Sequence, residues 1–299
     1  MDARAARPIG MFDSGFGGLT VARAAIDLMP SESFVYIGDA ARYPYGNKPA
    51  ADVARFAHEL ATSLVEDHGA KMIVVACNTA ASVALDDLRR ELPVPVVGVV
   101  EPGARALVRV THNGRVGVIG TVGTIESGAY DRAVAATGAD VRLAAAACPG
   151  LVEFVERGQT SGPEVRVLAE RLLAPVRDAG VDSLLLGCTH YPYLASVIGD
   201  VMGPDVVLVS SASETAFAIR DALDGGGLAA PSVAAPDTTA RTAPDTADRT
   251  APRTGTEARP AAHQFLTSGD PDDFTDIGRR LFGPDLPPAR HWARVGQRS

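Results

Sequence analysis

Nine short runs of apolar and β-branched residues are spread along the chain, and most are apolar at every position rather than at alternate ones. They fall at 8–12, 34–38, 72–76, 94–100, 115–119, 141–147, 183–187, 206–209 and 263–267. A strand with water on one face alternates, whereas a strand apolar throughout is covered on both faces, as in parallel sheets wrapped by helices. The segments between the runs carry helical spacing. Leu19, Ala22, Ala25, Ile26 and Met29 repeat at that period. Phe56, Leu60 and Leu64 do the same behind Pro49, which is placed to open a helix. Ser211 with Glu214 reads as a capping box. The alternation predicts an α/β chain with mainly parallel sheets, whose ligands sit beyond the carboxyl ends of the strands.

At 299 residues the length prior gives about two domains. Two stretches, "IGMFDSGFGG" and "VGVIGTVGT", are both strands that break into a small polar or glycine turn. The echo predicts two related, doubly wound α/β domains facing each other. Residues 225–262 differ from the rest: they hold no aromatic residue, and "APDT" recurs at 235–238 and 243–246. A spacing of eight is far below solenoid periods, so the stretch reads as a disordered insertion without a core.

Formal net charge is −8, which argues against a nucleic-acid or anionic-membrane surface. Three cysteines without framework spacing fit a reducing compartment. "MDARAARPIGMF" has no apolar signal core, and no run approaches a membrane span, so a cytoplasmic protein is expected.

Two of the cysteines stand in matched surroundings. "VVACNTA" and "LLLGCTHYP" each end an apolar strand on a thiol and turn polar at once, at Cys77 and at Cys188. Taken singly, a strand-end cysteine is more often packing than chemistry. Asn78 and Thr79 read as N-cap residues for a helix over 80–90, and a helix N-terminus lowers a thiol pKa. Near Cys188, a helix is expected to begin around Tyr191–Pro192, and His190 lies within reach of the thiol. Zinc fits poorly, because C-x-H supplies two ligands and no C-x-x-C completes them. Cys148, followed by proline, reads as a buried structural residue. "FDSGFGGLT" puts Asp13 at the first strand end. It fails the dinucleotide fingerprint at Thr20 and lacks a Walker lysine, so Asp13 is a candidate acid/base partner or ammonium anchor.

In this order, "DSGFGGLT", "YPYGNK", "ACNTA" and "GCTHYP" resemble the glutamate racemases of the cofactor-independent aspartate/glutamate racemase superfamily. The resemblance implies two domains of pseudo-twofold relation, 1–99 with 211–299 and 100–210, with the active site in the cleft between them. It implies interconversion of L- and D-glutamate, supplying D-glutamate for peptidoglycan and cell-wall biosynthesis. Cys77 and Cys188 match the family's bases, Asp13 and His190 their supporting groups, and Glu156 a further acid. Asp13, Ser14, Tyr45, Gly46, Asn78, Thr79, Thr121, Thr124, Thr189 and His190 match its substrate contacts. The chain departs from the family at Gly150–Glu153, where Glu153 competes with Glu156, and at Tyr193, usually leucine.

Racemisation removes the Cα proton on one face and returns one on the other. Pyridoxal enzymes use a lysine Schiff base. Lys48 and Lys71 are the only lysines; the first is in a loop, the second at a strand's amino end. The residues therefore favour two thiol bases in a dry cleft, with no cofactor and no metal. The expected partner is a small molecule, L- or D-glutamate; a homodimer is open. Three other readings compete: a racemase of aspartate or a hydantoin, a non-catalytic binding protein, and a cysteine hydrolase using Cys188 and His190.

Overall fold

The structure, a computed structural model, describes residues 4–230 and 261–293. The strands are β1 (Ile9–Asp13), β2 (Phe34–Gly38), β3 (Met72–Val75), β4 (Val96–Gly98), β5 (Arg115–Gly120), β6 (Arg142–Ala147), β7 (Ser183–Gly187), β8 (Val207–Ser210), β9 (His263–Thr267) and β10 (Arg290–His291). The helices are α1 (Leu19–Leu28), α2 (Ala50–Glu66), α3 (Asn78–Glu91), α4 (Val100–Val110), α5 (Val122–Glu126), α6 (Ala129–Ala136), α7 (Leu151–Glu156), α8 (Pro163–Asp178), α9 (Ala195–Met202), α10 (Ser211–Gly225) and α11 (Pro271–Phe282).

The strands form two sheets, ordered β10-β9-β2-β1-β3-β4 and β6-β5-β7-β8, and every pairing is parallel. The central strands β1, β2, β3 and β7 are buried at every residue, which is why they read as unbroken apolar runs. The edge strands β6 and β8 are partly exposed. In the first sheet α2 packs on β1 and β3, and α1 packs against α10 and α11. In the second, α8 covers β5 and β6, while α4 lies on β7 and β8 and also touches α3 and α10. A first core surrounds Phe12, Ile37, Val74 and Leu60, and a second surrounds Leu184, Leu173, Ile198 and Leu151.

Several local expectations are corrected. Helix α3 starts at Asn78, with Cys77 in the N-cap position, so Asn78 and Thr79 sit inside the first turn instead of capping it. The cap of α10 is Ser210, whose hydroxyl accepts from the Ala212 N–H; Ser211 is already helical and Glu214 pairs with Arg109. Pro49 is the N-cap of α2 and not its first helical residue. The chain after Cys188 enters a single 3₁₀ turn, Tyr191–Leu194, before α9. The two-residue strand β10 carries too short a pattern to be read in sequence. Of the insertion expected over 225–262, residues 231–260 lie outside the described residues.

Candidate active site

Cys77 follows the central strand β3, and Asp13 ends its neighbour β1, so the parallel register sets thiol and carboxylate side by side. Both are buried. The Asp13 Oδ2 accepts the Gly18 N–H at 2.8 Å. The Cys77 thiol donates to Ser14 Oγ at 3.7 Å, and Ser14 donates to Asp13 Oδ1 at 3.5 Å. Burial, then the Asp13 charge, push the Cys77 thiol well above its usual range; the Ala80 N–H and Ser14 pull the other way and lose. The helix N-terminus therefore acts as expected in sign, but desolvation outweighs it.

Cys188 follows β7, one of the two inner strands of the other sheet. Its sulfur lies 3.8 Å from His190 Nδ1, and His190 Nε2 lies 3.2 Å from Glu156 Oε1 at the end of α7. Burial draws the imidazole pKa down, but hydrogen bonds with Cys188 and Glu156 prevail and raise it to about 10. The raised value favours the imidazolium form of His190, held between the Cys188 sulfur and the Glu156 carboxyl.

The two groups meet at one seam. Thr79 Oγ1, from α3, lies 2.9 Å from Thr121 Oγ1 and 3.3 Å from Thr124 Oγ1, both from the turn after β5. Asn78 Nδ2 donates to the Tyr130 hydroxyl at 2.6 Å, while its Oδ1 is buried without a partner. Two close approaches need glycine. A Cβ at Gly17 would stand 2.4 Å from both Thr189 Oγ1 and His190 Nδ1, and one at Gly46 would stand 2.7 Å from Thr121 Cβ. The cavity beside the seam, between Gly46, Thr121, Cys148 and Glu153, is about 20 Å³, room for about one water. A larger cavity of about 620 Å³, lined by Ser82, Asp86, Arg90, Glu101 and Arg132, lies between α3, α4 and α6 and holds no thiol.

Asp13, Ser14, Gly46, Cys77, Asn78, Thr79, Thr121, Thr124, Glu156, Cys188, Thr189 and His190 thus gather at the seam. The Tyr45 side chain does not: its hydroxyl donates to Asp39 and its ring packs 5.5 Å from Phe56. Glu156 and not Glu153 reaches His190. Cys148 is buried, and its thiol pKa is pushed up to about 12 by burial and then by Cys188. Lys71 is locked to Glu32 at 2.6 Å and to the Ala5 carbonyl at 2.7 Å, at the far end of β3. Motif reading passed over Asp39, which gathers Arg42, Tyr45 and Ser268, and also Tyr130. Asp39 had a signal, since it follows β2 as Asp13 ends β1; Tyr130, on a helix, had none. Among the described residues, no cluster of three or more acidic, His or Cys side chains is arranged to hold a metal, and no helix is long and apolar enough to cross a membrane.

Two parallel sheets joined at their carboxyl ends, with one thiol each at the seam, place the chain in the class of two-domain α/β racemases. The sequence profile of the Asp/Glu/Hydantoin racemase family matches residues 20–217, and the chain belongs to that family. A glutamate racemase of Parafrankia sp. is 48% identical over 279 residues, 93% of this chain and 92% of that protein. A glutamate racemase isoform of Bacillus anthracis superposes with a TM-score of 0.83 at 35% identity, over 97% of this chain and 98% of the other. The Francisella tularensis glutamate racemase, solved with D-glutamate, superposes with a TM-score of 0.82 at 27% identity, over 97% and 99% of the two chains.

Proposed function

We propose that the chain interconverts L- and D-glutamate without a cofactor, using Cys77 and Cys188 on opposite faces of Cα. The observation that carries this is that each thiol has its own ionisable neighbour, Asp13 for Cys77 and the His190–Glu156 pair for Cys188. A Cα–H beside an ionised carboxylate is a very weak acid. Its removal needs a base in a dry site, with fixed dipoles on the developing charge. One thiol must be ionised while the other is protonated, because one takes a proton and the other returns one. The roles exchange with the enantiomer: Cys188 abstracts from L-glutamate and Cys77 from D-glutamate.

The hydroxyls of Ser14, Thr79, Thr121, Thr124 and Thr189, with the backbone amides of Tyr45 and Gly46, would hold the two substrate carboxylates. The unpaired Asn78 Oδ1 and the Asp13 carboxylate would hold the ammonium. The hydroxyls of Thr79, Thr121 and Thr124 now satisfy one another, and the adjoining cavity admits about one water, so the substrate needs the two halves to part. In this reading the halves are 1–99 with 211–299 and 100–210. The enzyme works in the cytoplasm to supply D-glutamate for peptidoglycan, and sedimentation would test for a homodimer.

Racemisation in deuterated water tests the proposal. The product enantiomer should carry deuterium at Cα while unreacted substrate does not; product without solvent deuterium would overturn the two-base mechanism. A panel of acidic amino acids and hydantoins separates glutamate from rival substrates. The Cys188–His190–Glu156 line also has the form of a cysteine hydrolase, and mass spectrometry for an acyl group on Cys188 would separate that reading.

A further inference from the structure

Tyr43 lies in the connection between β2 and α2, yet it packs with the second core, around Cys188. Its ring centre is 6.3 Å from the His190 ring, tilted by 41°, and 6.4 Å from Phe16 in an edge contact. A Cβ at Gly15 would come within 3.1 Å of Tyr43 Cδ2, so the chain leaves room for the ring there. The hydroxyl is shut away from water and makes no hydrogen bond of full geometry, while the Glu156 carboxyl lies close enough to act on it as an acceptor. A buried donor left short of a full hydrogen bond is costly, and each one in a native structure calls for a reason.

The groups facing this hydroxyl are Glu156 and Glu153 from α7, Cys188 and His190 after β7, and Tyr191 from the turn that follows. Burial, then the Glu156 charge, raise the phenol pKa far above its usual range, so the group remains a donor. The acceptor this arrangement offers is the carboxylate that already takes His190 Nε2. A carboxylate receiving a second donor holds its charge better, and an imidazolium beside a firm carboxylate better supports a thiolate on its other side.

We propose that Tyr43 is a positioning residue for the Cys188 half of the reaction, its hydroxyl donating to Glu156 as the two halves open and close on substrate. This rests on the two-thiol reading above. The residue reaches across the seam from the first sheet, so it couples the relay of the second sheet to domain closure.

The test is Tyr43→Phe, which keeps the ring and removes the donor. Its kcat should fall about tenfold with KM changed less than about twofold, since no substrate contact is touched. The acid limb of kcat/KM, which reports the first proton lost by the thiol pair in the free enzyme, should move up by about half a unit or more. Phe16→Leu loosens the same ring packing with the hydroxyl in place and should leave that limb where it is. If Tyr43→Phe folds poorly, 3-fluorotyrosine at position 43, a stronger donor, should move the limb down. A wild-type profile in Tyr43→Phe, an unmoved limb with 3-fluorotyrosine, or an equal shift in Phe16→Leu would overturn the role. Cys188→Ser assayed alongside separates the two levels. If it racemises normally, the two-thiol reading is wrong; if it is inactive while Tyr43→Phe is unaltered, only the role of Tyr43 is.

Discussion

His190 holds its Nε2 3.2 Å from Glu156 Oε1, joining the turn after β7 to the end of α7 within the second sheet's layer. The contact fixes which ring nitrogen faces Cys188, and the hydrogen bonds with Cys188 and Glu156 raise the imidazole pKa to about 10 against burial. Because the folded value lies above the unfolded one near 6.5, the folded protein binds more protons between them. The stabilisation is complete below about pH 6.5 and is lost as pH rises through about 10. His190→Asn should remove this slope. Denaturant unfolding of both proteins from pH 6 to 10 checks it, and parallel pH dependences would show that His190 carries no such proton.

Cys77→Ser and Cys188→Ser should each lose about 10²–10⁴-fold in racemisation, the range for a positioned acid or base. Enantiomers have equal free energies in water, so kcat/KM must fall equally in both directions in each variant. The face assignment therefore has to be read from exchange and not from directional rates. In Cys77→Ser the remaining Cys188 should still exchange the Cα hydrogen of L-glutamate with deuterated water, and in Cys188→Ser only D-glutamate should exchange. NMR of the recovered amino acid decides it, and the reverse pattern would swap the faces.

Gly17→Ala puts a methyl 2.4 Å from Thr189 Oγ1 and His190 Nδ1, on the opposite side of the seam. The halves must then part by a fraction of an ångström or more, and misplacements of that order cost about 10²-fold in rate. A loss of that size in kcat/KM is expected, with the melting temperature shifted by no more than a few degrees. Wild-type activity would mean the seam is looser than its contacts suggest.

Glu32→Ala should act on stability alone. Glu32 and Lys71 are 2.6 Å apart with side chains 5% and 1% exposed, and Glu32 also accepts the Ala230 N–H at 2.6 Å. Removing one partner of a buried pair costs about 3–5 kcal/mol. Lys71 and Cys77 bracket β3, about 20 Å apart along an extended strand, so kcat per folded molecule should not change. Chemical denaturation with active-site-normalised rates would show otherwise if the pair served the chemistry.

What the sequence alone determined is what depends on local pattern. Near-continuous apolar runs marked β2 and β7 to the residue, because a strand buried on both faces is apolar at almost every position. The thiols were legible for a similar reason: each lies within two residues of the end of an inner strand, so chain order alone put both at the ligand-bearing end of a sheet. Tertiary structure decided the rest. Asn78 has the chemistry of a cap, but Tyr130 waits across the seam, so its amide turns there and the N-cap position falls to Cys77. The helix N-terminus favours a thiolate at Cys77, yet burial beside Asp13 outweighs it. Tyr43 and Tyr130 reach the seam only because strand order and helix packing bring distant segments together. Periodicity is a property of neighbours in the chain, whereas burial, partner choice and proton affinity are set by groups far apart in sequence and close in space.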